Sequence, residues 1–408
     1  MKKIKIIAAA LIAGGLVLPM AHATNGYFSH GYGMKSKGMG GVGIALPQDT
    51  LAAASNPAGM VEVGNRVDFG LDWFSPKRDA TIAGTNYKSG SNNFYIPEFG
   101  YNQMRGTDTS IGVAVYGNGG MNTDYPNIPQ FNSSGLRVGV NLEQLFIAPT
   151  WAKKITPTSS IGISLNLAYQ KFSAKGIYNF NTVSSAPSYL SDNGDDSSTG
   201  LGVRLGWTGQ VSPDVTVGAT YQSRTYMSKF DKYRGLFADA GSFDIPENYG
   251  VGIAFKANPA TTFAADIVRI SYSGVPAIAN TVAAMGTAGH LLGQPAGIGF
   301  GWKDQTVFKF GLSHQYSKDL TVRAGYNQGS STIPNTEMAF NVLAPATVEK
   351  HATLGATWTL ANQAELTLAY MHAFSNSQTG ETTNQLGVTP TTIRMHQDSL
   401  GIAYGWKF

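Results

Sequence analysis

The last nine residues carry an apolar side chain at every second position: Leu400, Ile402, Tyr404, Trp406 and Phe408, with Gly401, Ala403, Gly405 and Lys407 between. A segment that alternates in this way has two unlike faces. Where it also ends the chain on an aromatic ring, it suits the closing strand of a membrane β-barrel, with lipid on one side and the lumen on the other. That places the chain in the outer membrane of a bacterial cell.

The N-terminus agrees. Lys2, Lys3 and Lys5 precede an apolar run over 6–18, and Ala21-His22-Ala23 has the small-x-small form of a secretory cleavage site, so residues 1–23 are expected to be a signal peptide. The run is too short to span a bilayer comfortably as a helix. Its removal takes the formal charge from +4 to +1, with 26 basic against 25 acidic side chains, and a near-neutral chain offers nothing to nucleic acid. There is no cysteine, which excludes disulfides and thiol catalysis. After the leader no apolar stretch is long enough for a membrane helix, so any span must be built from strands.

Alternation recurs along residues 61–408. Val67, Phe69, Leu71 and Trp73 interleave with Arg66, Asp68, Gly70 and Asp72, and the same pattern returns at 161–170, 201–207, 215–221, 249–255 and 320–326. A soluble β-sandwich alternates too, so the links between strands decide. Short links near 104–108, 152–158, 210–213, 256–260, 317–319 and 360–363 take turns with long ones near 77–91, 118–138, 176–199, 226–243, 274–304, 329–346 and 376–393. Strict exchange of short and long links belongs to an up-and-down antiparallel barrel with one periplasmic and one outer rim, and implies about fourteen strands. Parity falters near Asp266 and Arg269, where a bulge is expected. Trp73, Trp151, Trp207, Trp358 and Trp406 suit interfacial girdles.

Residues 24–60 do not alternate. Gly31, Gly33, Gly38, Gly40, Gly41 and Gly43 precede Asn56-Pro57-Ala58, and this density of glycine suits an irregular backbone packed closely against a wall. Tyr27, Phe28, Tyr32, Met34 and Met39 make the segment too apolar for a solvated tail. An N-terminal plug, or hatch, inside the lumen is the simplest reading. Lumenal Arg66, Asp68, Asp72, Arg204 and Arg323 are then expected to pair wall with hatch, since a barrel interior is normally polar.

The Gly-rich stretch over 25–44, the Asn56-Pro57-Ala58 motif directly before the first strand, Tyr116-Gly117-Asn118-Gly119 ending the third, Ile245-Pro246-Glu247 and Trp302-Lys303-Asp304 opening later ones together resemble the FadL/TodX family of outer-membrane transporters for hydrophobic compounds. The resemblance covers the mature chain. It implies a monomeric barrel for passive uptake of monoaromatic hydrocarbons or long-chain fatty acids. The ligand would be captured by outer loops, bound in a lumenal pocket beside the hatch at Tyr27, Phe28, Tyr32, Met34 and Met39, and released sideways where the third strand kinks inward. It also implies contact with outer-membrane lipid and lipopolysaccharide, and delivery by the outer-membrane assembly machinery through the C-terminal strand ending in Phe408. No cofactor or metal is implied.

On that resemblance the exit matches Tyr116, Gly117, Gly119 and Gly120, where glycine serves either a kink or a plain strand end. Capture falls to Met121, Tyr125, Phe131 and Leu136 in one long loop and to Tyr178 and Phe180 in another; these side chains either bind ligand or pack on each other. A further apolar stretch, 277–292, is expected to form a short helix over the mouth. Lys171 and Lys303 stand where a ligand carboxylate would be met, or where lipopolysaccharide phosphate would be. Two other classes compete. A general diffusion porin has no use for a Gly-rich hatch and is normally wider. An outer-membrane hydrolase needs a clustered serine, histidine and orienting group, and the histidines occur singly. Enzyme activity is therefore not expected.

Overall fold

The computed structural model describes residues 25–283, 285–384 and 387–408, so the expected signal peptide lies outside the described residues. In chain order the strands are β1 (Arg66–Ile82), β2 (Thr85–Lys88), β3 (Phe94–Arg105), β4 (Thr109–Asn122), β5 (Gly139–Thr156), β6 (Ser159–Lys175), β7 (Asp196–Ser212), β8 (Val215–Gln222), β9 (Tyr226–Met227), β10 (Asn248–Asn258), β11 (Thr261–Ile270), β12 (Gln305–Gln315), β13 (Leu320–Gly329), β14 (Lys350–Thr359), β15 (Glu365–Asn384) and β16 (Gly387–Lys407). Each wall strand pairs antiparallel with its neighbours, and β16 closes on β1 from Arg66↔Lys407 to Ile82↔Thr391. β2 only prolongs the β1 hairpin and β9 bridges β7 over two residues, which leaves the fourteen-stranded closed barrel that the link pattern implies. Closure removes the unpaired edge that hydrocarbon would not tolerate.

The alternation has its physical cause in the two solvents. Ile161, Ile163, Leu165, Leu167 and Tyr169 face outward, while Ser160, Ser164, Asn166 and Gln170 are buried inside. Trp73, Trp151, Trp207, Trp358 and Trp406 all project outward; Trp302 alone of the six tryptophans is buried in the interior.

Three local expectations are corrected. β11 runs in register with β10 and β12 through Asp266, with no bulge there; Asp266 is buried, and Ile267 faces out. Parity was obscured because Ala264, Val268 and Ile270 are apolar yet sit on the inner face. Residues 376–384 and 387–393 are not loop: β15 and β16 continue through them as paired strands. The helix over the mouth is a single turn, Pro276–Ala279.

β1, β5, β6, β7, β15 and β16 are 17 to 21 residues long, well beyond the roughly 9–11 that cross a bilayer. They raise a palisade on the outer side, and the long connections fold inward between its walls. The result is one continuous buried apolar cluster from Phe131, Phe180 and Phe340 in the loops down to Tyr27 and Phe28 at the start of the hatch.

Candidate functional site

Residues 25–63 lie inside the barrel and are seated by polar groups that the wall directs inward. Lys37 Nζ is 2.9 Å from Asp72 and 3.8 Å from Glu98. Lys35 pairs with Glu365 at 2.6 Å, and Thr50 donates its N–H and hydroxyl to Asp68. Gly43 and Ile44 donate their N–H groups to Asp266, and Arg323 Nε donates to Gln48. A buried carboxylate stripped of its partner is costly, so the set fixes one position for the hatch.

The glycines let the two backbones touch. A Cβ at Gly325 on β13 would come within 2.1 Å of Gly40 N. The Asn56-Pro57-Ala58 motif works similarly: Asn56 Oδ1 accepts from Ala58 N, its Nδ2 donates to Ile44 O and to Trp207 O, and Gly162 and Gly206 leave room for the turn.

The first residues of the hatch do something different. They pair with the wall at β4, where the ladder to β5 slips between Gly117 and Gly119 and leaves Asn118 as an extra residue. Ser29 N donates to Asn118 O, and Gly120 N donates to Tyr27 O at 3.0 Å. A Cβ at Gly119 would lie 2.1 Å from that Tyr27 carbonyl, so only glycine admits the contact. The extra residue re-aims the strand, placing both Tyr116 and Met121 inside although an odd spacing would otherwise set them on opposite faces.

On the other side of β4 the wall opens. Pairing between β3 and β4 runs from Arg105↔Thr109 to Phe99↔Val115 and stops, so residues 94–98 and 116–122 have no ladder with each other. β3 carries Pro97 there, a residue that cannot donate to a ladder and belongs at an edge. Above the gap Gly90 N donates to Asp124 O and Asp124 N to Ser89 Oγ, clasping it shut. Asp124 also pairs with Arg137 and Lys175, each at 2.7 Å. Burial raises its pKa, but these two bonds outweigh that and hold it below the usual carboxylate range.

A chain of aromatic rings joins the loops to this gap. Phe131 stands 5.4 Å from Phe180, Phe180 5.8 Å from Phe340, Phe340 5.2 Å from Phe300, and Phe300 6.1 Å from Trp302. Trp302 meets Tyr272 and Tyr27, and Tyr27 meets Phe28, whose backbone bridges to Gly119. A second branch, Phe172, Phe237 and Phe243, also ends on Tyr27. Cavities of about 10 Å³ beside Trp302 and Met121, and about 50 Å³ beneath Phe28, flank the chain. Neither approaches the ~150 Å³ that a benzene ring occupies in an apolar cavity, so a ligand must displace side chains to pass.

Of the residues singled out from sequence, Tyr27, Phe28, Tyr116, Met121, Tyr125, Phe131 and Phe180 fall in this cluster, and Tyr32 packs against it with its ring 4.8 Å from Tyr116. Met34 instead lies against Gly401, and Met39 against Gly311, on other parts of the wall. Leu136 is 53% exposed and Tyr178 partly exposed. Lys171 is tied to Asp195 at 2.7 Å, on the same face as Tyr169, and Lys303 is exposed at the mouth. Sequence reasoning missed Trp302, Tyr272, Phe300 and Phe243. Trp302 stood out only as part of the Trp302-Lys303-Asp304 motif, and the others only as apolar bulk in or beside long connections.

A model of the family described as outer membrane protein transport protein (OMPP1/FadL/TodX) matches residues 21–408. The chain belongs to that family. Among solved structures it is similar to the Pseudomonas putida toluene transporter TodX, with TM-score 0.74 and 20% identity over 93% of this chain and 99% of that one. It is also similar to a Pseudomonas aeruginosa FadL homologue (0.71, 14%, 94% and 100%) and to the Ralstonia pickettii toluene transporter TbuX (0.67, 19%, 93% and 99%). No curated protein matches it. FadL/TodX-family proteins are outer-membrane transporters of hydrophobic compounds, not enzymes, which removes the hydrolase alternative.

Proposed function

We propose that this protein carries small apolar molecules, monoaromatic hydrocarbons foremost, from the cell exterior into the outer membrane by passive diffusion. The ligand is captured among Met121, Tyr125, Phe131 and Phe180, moves along the aromatic chain past Trp302 to Tyr27 and Phe28, and leaves between β3 and β4. The observation that carries this reading is the coincidence of three features at one point: the end of the aromatic chain, the bulge at Asn118 and the missing ladder.

The physics favours sideways release. An apolar molecule gains little from water, so passage into the bilayer keeps its surface dry, whereas a path through the hatch crosses Lys35, Lys37, Asp68, Asp72 and Glu98. Ring faces along the route suit an aromatic ligand, which can replace one stacked contact, about 0.5–1.5 kcal/mol, with another. Two of the similar structures are toluene transporters, which fits the same choice.

The test is uptake by whole cells of radiolabelled toluene and of oleate, comparing wild type with a variant in which Gly117, Gly119 and Gly120 are replaced by valine. Toluene uptake is expected to fall at least tenfold while heat-modifiable migration on gels, the mark of an intact barrel, persists. Normal uptake in a folded variant would rule out exit at this place. Uptake of oleate in preference to toluene would move the substrate to long-chain fatty acids.

A further inference from the structure

Beneath Phe28, between hatch and wall, the lining of the cavity of about 50 Å³ combines apolar Phe28, Ile44 and Val268 with polar Arg204, Lys309 and Asn248. Its charges do not balance. Lys309 Nζ donates to His30 O and Gly41 O of the hatch, and Asp266 stands in the same cavity with Oδ2 taken by Gly43 and Ile44 N–H. Two cations thus face one carboxylate.

Arg204 is the cation left over. It is 4% exposed, and among the described residues no carboxylate pairs with it. Its Nη1 donates to Ser55 O and Thr220 Oγ1, and its Nη2 to Gln222 Oε1 and Asn248 Oδ1, all neutral acceptors. Arg204 Nε, Asn248 Nδ2 and Gln222 Nε2 have no partner, and neither does the acceptor Asp266 Oδ1. Buried donors beside an uncompensated guanidinium call for an acceptor that carries charge.

We propose that this cavity binds one small inorganic monovalent anion of chloride size, held by Arg204 and Asn248 between wall and hatch. The enclosure holds an ion and a water or two but has no room for the tail of an organic acid. Because Arg204 and Lys309 both grip hatch carbonyls, the anion strengthens the seat of the hatch by neutralising the charge that gathers there.

Crystals of the full chain in sodium bromide test the site directly: anomalous density is expected in contact with Arg204 Nε and Asn248 Nδ2, and density that matches water alone overturns the proposal. Thermal unfolding in detergent tests its effect. At equal ionic strength, chloride in place of gluconate should raise the midpoint of wild type by several degrees and leave Arg204→Gln unmoved. A chloride response that survives in Arg204→Gln also overturns it. Asn248→Ala, which keeps the guanidinium, replaces that variant should it not fold, and is expected to need several times more chloride for the same shift.

Discussion

Lys37 concentrates the energetics of the hatch in one side chain. Its ammonium sits between Asp72 and Glu98 with all three side chains nearly fully buried, and Glu98 also accepts from Gly33 N. Lys37→Met removes the charge but keeps the length, so two carboxylates are left facing each other away from water. Breaking a buried pair on one side costs about 3–5 kcal/mol, and the urea-unfolding midpoint in detergent should fall accordingly. A loss below about 0.5 kcal/mol, the range of an ordinary surface change, would mean that the network does not hold the hatch. Gly325→Val belongs to the same scale: its side chain meets the Gly40 backbone, and overpacking there is expected to cost about 1–3 kcal/mol in the same measurement. The charged wall members of this seat were legible in sequence, because Asp68 and Asp72 occupy the non-lipid parity of β1; Arg66, expected to pair with the hatch, instead pairs with Asp68 and Glu365 of the wall. Their partners were not. Nothing in the chain order of Lys35, Lys37 and Thr50 shows which wall group each one faces, since an irregular segment has no period to read.

At the scale of elements, the link between β4 and its neighbours is where structure departs most from a plain barrel. Asn118 is the surplus residue of the bulge; Tyr32 Oη donates to its Oδ1, and its Nδ2 donates to Gln144. Deleting Asn118 restores a regular register, in which the now even spacing keeps Tyr116 and Met121 on the inner face, and lets β4 continue its ladder with β3. Toluene uptake is then expected to drop to background in a barrel that is, if anything, harder to unfold; unchanged uptake would place the route elsewhere. The strands themselves could be read from period-two alternation and the turns from their spacing. The bulge could not, because Met121 is apolar and fits either face. Above the gap, the clasp at Asp124 gives a pH dependence with a definite sign. Its pKa is held down in the folded protein, so its contribution is complete at neutral pH and is lost only as pH falls through that lowered value, below the ~3.9 of a free aspartate. Protease cleavage of the 124–138 loop should be flat from pH 7 to pH 5 and rise only under stronger acid. A rise beginning near pH 6 would contradict the pairing with Arg137 and Lys175.

For the whole molecule, the wall and the hatch are separable in their support. The wall is a closed ladder whose fourteen strands each find two neighbours within the barrel, whereas the hatch is held mainly by side chains, touches the wall backbone at Asn118 to Gly120, and has no strand in that ladder. Removing residues 25–55 should therefore leave a barrel that still inserts and still shows heat-modifiable migration. It would expose Asp68, Asp72, Glu98, Arg204 and Asp266 to a lumen newly filled with water, which hydrates them better than the protein does. Ions and small polar solutes would pass, and conductance in planar bilayers should rise from near zero to discrete open-channel steps. Hydrophobic uptake should fall at the same time, because Tyr27 and Phe28 go with the hatch and the aromatic chain then ends in water rather than at the gap between β3 and β4. The two readouts move in opposite directions, which separates a plug that shapes an apolar passage from one that merely blocks a pore. Conductance that stays at zero with uptake intact would show that residues 25–55 neither seal the lumen nor guide the ligand.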